Sequence, residues 1–227
     1  MMTFQSLRGP AESFATHRST LKMLLLSVAW LVTASCTSSP RSSNDPLIGT
    51  GSEGPAGLKV PTNHQAVIES GSAGNLDYAG LYNTFDFRAT LLNSRVRDAL
   101  IQRQGESYQW DASKLATERE RSTQEASAET VIFLSFFTPE RRNDNLADTK
   151  SIWRALLDVG GRRYEAKVKK DRRLVVELQS LFPYHTRWNS PYILTFPVST
   201  MAIESQVAQL TITGPLGTQT VNFQPLP

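Results

Sequence analysis

Val131-Ile132-Phe133-Leu134-Ser135-Phe136-Phe137 is the stretch that decides the fold. It is too short for a typical helix, rich in β-branched and aromatic side chains, and broken only by Ser135. Such a run predicts a central strand buried on both faces. Thr138-Pro139-Glu140 closes it with a cap and an N1 proline, giving a single helical turn or a tight loop.

Upstream, Phe85, Phe87, Ala89 and Leu91 alternate with Asp86, Arg88 and Thr90, the two-residue period of a strand with one buried face. Asn93 or Ser94 then caps a helix from Arg95 to Gln104, with Val96, Leu100 and Ile101 inward and Gly105 as its stop. A second helix, capped by Asp111, covers residues 112–128. It is rich in Glu, Arg, Ala, Lys and Gln and poor in large apolar residues, so it should be mostly exposed. Tyr108 and Trp110 are its expected contacts to the body of the domain.

Downstream, residues 152–159 and 162–169 flank Gly160-Gly161, the dipeptide of a two-residue hairpin. Another strand spans Pro191-Tyr192-Ile193-Leu194-Thr195-Phe196-Pro197, with Tyr192, Leu194 and Phe196 on one side. A last pair, residues 207–213 and 218–223, turns through Gly214-Pro215-Leu216-Gly217. Short strands with hairpin punctuation and no βαβ rhythm predict a mainly β fold. The expected form is an antiparallel sandwich with a helical insertion between early strands, over residues 94–128. The C-terminal half resembles an immunoglobulin-like or fibronectin-like module; the resemblance implies a β-sandwich over residues 76–227 and carries no functional residues with it.

The other end of the chain bears on its address. Arg8, Arg18 and Lys22 precede an apolar segment from Met23 to Val32, about ten residues, which suits an export signal and is too short to span a bilayer. Thr33-Ala34-Ser35-Cys36 follows and resembles the lipobox of bacterial lipoproteins, with Thr33 standing where leucine is usual. The resemblance implies a signal peptide over residues 1–35, cut before Cys36, with palmitate-type acyl chains on that cysteine. Thr37 in place of an aspartate favours the outer over the inner membrane. The composition of residues 36–75, rich in Ser, Gly, Pro, Asn and Thr, reads as a flexible tether.

Composition narrows the chemistry further. Cys36 is the only cysteine, so acylation leaves no thiol for a disulfide, a metal or nucleophilic attack. The chain carries 24 Lys+Arg against 21 Asp+Glu, and loss of the leader leaves 21 against 20. Near-neutrality gives no electrostatic reason for a nucleic-acid partner. Gly49-Thr50-Gly51-Ser52-Glu53-Gly54 matches a dinucleotide fingerprint by letter, but Pro46 and Pro55 bracket it where a strand and a helix are needed. Asp144, Asn145 and Asp148 lack the alternating spacing of a calcium loop and read as Asx turns. Beyond the leader the histidines are His64 and His185, too few for a zinc site. No cofactor, metal or nucleotide is expected, and no catalytic residue is assigned.

The sharpest surface feature is the basic run Arg162, Arg163, Lys167, Lys169, Lys170, Arg172 and Arg173. Alternation with Tyr164, Ala166 and Val168 projects Lys167 and Lys169 to solvent, with Lys170, Arg172 and Arg173 at the hairpin tip. Lysines on a strand edge deter edge-to-edge pairing. The same side chains form a candidate surface for an anionic partner: lipid headgroup, cell-wall polymer or acidic protein. The expectation is a lipid-anchored protein of the bacterial cell envelope, periplasmic or surface-facing, whose non-catalytic sandwich serves interaction or assembly. An envelope hydrolase using His185 and a purely structural spacer are the alternatives.

Overall fold

The computed structural model describes residues 62–75 and 84–226. The chain divides into two units, Met1–Leu47 and Ile48–Pro227, and every described residue lies in the second. Cys36, the signal segment, the tether up to residue 61 and the Gly49–Gly54 run lie outside the described residues.

The first described elements are helix α1 (Thr62–Ser70) and strand β1 (Ser72–Asn75), followed by β2 (Asp86–Leu91), α2 (Ser94–Tyr108), α3 (Ala112–Ala128) and β3 (Thr130–Phe137). A 3-10 turn over Arg141–Asn143 leads to β4 (Arg154–Val159), β5 (Arg162–Glu165), β6 (Lys167–Lys170), α4 (Val175–Leu181) and β7 (Ser190–Phe196). Helix α5 (Thr200–Glu204), β8 (Ala208–Gly214) and β9 (Gly217–Phe223) complete the chain. Five strands form one antiparallel sheet in the order β1-β2-β3-β7-β6, and four form a second in the order β5-β4-β8-β9.

β3 lies at the centre of the larger sheet, and its burial explains the layers. Ile132, Leu134 and Phe136 point into the core between the sheets, with Phe87, Tyr192 and Phe196 from their own sheet and Leu157, Leu210 and Ile212 from the other. Phe133 points the opposite way, into a second cluster with Ile68 of α1, Val96 of α2, and Leu178, Leu181 and Phe182 at α4. A strand apolar on both faces needs a cover on each. Here the smaller sheet covers one face and a helical layer covers the other.

That helical layer corrects the expected class. Helix and strand occupy nearly equal shares, 35% and 34%, so the body is a mixed α and β structure rather than mainly β. The insertion after the early strands is present. Asn93 caps α2 by accepting from the Val96 amide, and Asp111 caps α3 by accepting from the Lys114 amide. Helix α2 does not stop at Gly105. It runs through that residue, which is buried against Leu115 and Trp110, and ends at Gln109 in a left-handed conformation. Helix α3 is the exposed member, burying only Glu118 and Ala126.

The expected tether over 36–75 is corrected at its C-terminal end, because residues 62–75 belong to the fold. Ile68 is fully buried, and the His64 ring nitrogen Nε2 lies 2.9 Å from the Leu181 carbonyl oxygen. β1 pairs antiparallel with β2, Ser72 opposite Thr90, and their hydroxyls are 2.6 Å apart. Thr90 also bonds to the hydroxyl of Tyr184, tying this corner to the loop after α4.

The expected hairpin forms at Gly160-Gly161, both with positive φ (56° and 74°), as a type I′ turn requires. Its second arm does not continue as one strand. β5 pairs with β4 in the smaller sheet, Ala166 still donates to the Ala155 carbonyl, and β6 then pairs with β7 in the larger sheet. Ala166 is small and half-buried, so the chain turns the corner between sheets there. The hairpin tip is therefore Gly160-Gly161, and residues 170–173 lie at the far end of the arm.

Candidate functional site

The corner divides the basic run. Arg162 and Arg163 stay on the smaller sheet, where Arg163 stands opposite Asp158 and forks onto its carboxylate at 2.8 and 2.9 Å. Its guanidinium holds the Asp158 carboxyl below the usual range. Lys167 and Lys169 lie on β6, the outer edge strand of the larger sheet, opposite Thr195 and Ile193. Directly opposed residues share a face. Ile193 packs against the helical cluster, so Lys167 and Lys169 border the face that carries α4.

The five named residues are not equivalent. Lys170 falls on the other face, opposite Tyr192, and its ammonium is 3.7 Å from Asp144. Arg173 donates through Nη2 to Asp171 at 2.6 Å, and Asp171 also accepts from the Arg173 amide. Lys167, Lys169 and Arg172 are exposed and have no carboxylate partner among the described residues. Lys167 and Lys169 carry uncompensated charge on this edge, and Arg172 does so two residues past its end.

An apolar step that sequence reasoning passed over follows immediately. Leu174, Val175 and Val176, at the start of α4, are 71%, 41% and 57% exposed, while Leu178 and Leu181 one turn on are buried. The Tyr108 hydroxyl, also exposed, lies beside Glu177, whose carboxylate raises its pKa. Trp188, 60% exposed, precedes β7 by two residues, so it lies at the same end of the β6–β7 pair as Leu174. The signal for this step is an apolar triplet directly after a basic run.

His185 holds the loop after α4 rather than opening a reaction site. Its Nδ1 is 2.9 Å from the Ser135 hydroxyl, its ring stands edge-on to Phe133, and its carbonyl accepts from Gln179. A serine nucleophile must meet its substrate, yet Ser135 and His185 are each only 1% exposed. Burial pushes the imidazole down to about 4, with nearby Asp171 opposing. His64 is lowered too, chiefly by burial. A depressed histidine stays neutral in the fold while the unfolded chain takes up a proton, so stability is lost as pH falls from about 6.5 toward 4. For His185 the loss should reach roughly 3 kcal/mol. Urea unfolding across that window checks it, with His185→Asn keeping a partner for Ser135 and flattening the slope.

The acidic loop is a structural latch. Asp144 accepts from the Ser190 hydroxyl and from the Tyr192 hydroxyl at 2.8 Å, and the Asp148 amide donates to the Asn145 carbonyl as in a tight turn. Among the described residues no cluster of His, Cys, Asp or Glu could hold a metal ion, and no helix is long and apolar enough to cross a membrane. A groove of about 220 Å³ lies between α2, α3 and α5. Within it Arg97 donates through Nε to the Leu92 carbonyl, and Arg119 pairs with Asp98. No protein-family model, curated protein or solved structure matches the chain.

Proposed function

We propose that the chain is a lipid-anchored cell-envelope protein, tethered through Cys36 and displaying a non-catalytic module for interaction or assembly at the outer membrane. The observation that carries the interaction reading is the basic edge. Lys167 and Lys169 on the edge strand, and Arg172 just past its end, are exposed without carboxylate partners among the described residues, in a protein whose charges are otherwise almost balanced. The Thr33-Ala34-Ser35-Cys36 stretch supports the anchor. Two antiparallel sheets sharing one core support reading the module as an immunoglobulin-like display domain. The helical cover and the corner at Ala166 are departures from that plan.

Metabolic labelling with a fatty acid tests the anchor. The wild-type chain should take up label and fractionate with membranes, and Cys36→Ala should lose the label and accumulate unprocessed or soluble. Unchanged labelling and fractionation of Cys36→Ala would exclude the anchor.

A further inference from the structure

The basic edge and the exposed start of α4 form one surface, and we infer that it docks flat onto an anionic lipid bilayer. Lys167 and Lys169 border the face of the larger sheet on which α4 sits, and Arg172 precedes α4 by three residues, so the free cations lead directly into Leu174-Val175-Val176. Of the carboxylates beside them, Asp171 is occupied by Arg173, and Glu177, directly after the triplet, takes the Tyr108 hydroxyl. Leu178 and Leu181 farther along α4 pack into the helical cluster, while the exposed triplet has no apolar cover among the described residues.

Charge complementarity identifies the occupant as a membrane rather than a second copy. Two copies meeting through this surface would oppose lysines and arginine to each other, whereas anionic headgroups neutralise these cations while the triplet enters the acyl boundary. Tyr108 and Trp188, both exposed, suit the headgroup level, where aromatic side chains with polar tips concentrate. The docked domain would lie flat against the bilayer. This deepens the reading of the basic edge as a partner surface and needs no acyl chain at Cys36, so the two fail separately.

The test is vesicle flotation of the unacylated chain from Thr37 onward. That chain contains the whole second unit and with it both hydrophobic clusters. It should float with vesicles of phosphatidylcholine containing phosphatidylglycerol, less so as salt rises, and not with phosphatidylcholine alone. Replacing Lys167, Lys169 and Arg172 by serine should lower partitioning roughly 100-fold, at about fivefold per cation. Leu174→Asp with Val176→Asp should lower it by at least about tenfold. Both are surface changes, so unfolding curves should stay close to wild type. No flotation, equal flotation of wild type and both variants, or a dimer that Leu174→Asp with Val176→Asp dissociates in the absence of lipid binding would each overturn the proposal.

Discussion

Phe133→Ala should destabilise the domain by about 3–5 kcal/mol, the range for removing a large aromatic side chain from a closed core. Phe133 is fully buried and stacks on Phe182 with ring centroids 3.8 Å apart and planes within 4°. It also meets the edge of His185. Its loss therefore opens a cavity where strand, helical layer and loop converge, and neither the sheet nor α4 can collapse freely into it. Denaturant unfolding followed by circular dichroism measures the change. A cost under about 1 kcal/mol would mean that the helical layer does not close on β3.

Ile68→Ala should cost about 2–5 kcal/mol. This result separates a folded α1 from a tether, because an apolar residue in a solvated linker has no burial to lose. Ile68 packs with Val96, Phe133 and Leu178, and α1 delivers β1 to the edge of β2. Deletion through Asn75 should accordingly unfold or strongly destabilise the domain rather than trim it. Urea midpoints of the point variant, compared with a surface control such as Gln65→Ala, check the claim; equal midpoints would return residues 62–75 to the tether.

The reason α1 escaped the sequence is visible in its composition. Thr62-Asn63-His64-Gln65-Ala66-Val67-Ile68-Glu69-Ser70 has little apolar periodicity, and so short a helix does not hold by propensity alone. It exists because Ile68 and His64 find partners on elements far along the chain. β1, Ser72-Ala73-Gly74-Asn75, likewise has little strand propensity and forms by pairing to β2. By contrast β2, β3, β7 and the β8–β9 pair carried period or sustained apolarity in their own residues, and the caps at Asn93 and Asp111 announced themselves locally.

The candidate surface divides along the same line. Its cations were legible because they are neighbours in sequence. Their compensation was legible only in part: the two-residue turn at Gly160-Gly161 itself sets Arg163 opposite Asp158, whereas Lys170 meets Asp144 across the fold. Nor does a sequence distinguish Leu174-Val175-Val176 from a buried triplet; only where α4 begins relative to the residues it packs against makes that difference. The corner at Ala166 has no signature beyond one small residue, which is why a single long hairpin was the natural expectation.

The intact mass of the mature chain purified from membranes tests the central claim most directly. A lipid-anchored protein predicts a chain beginning at Cys36 with a thioether-linked diacylglycerol and an acylated amino terminus. A mature chain beginning elsewhere, or a free Cys36 thiol, would contradict it.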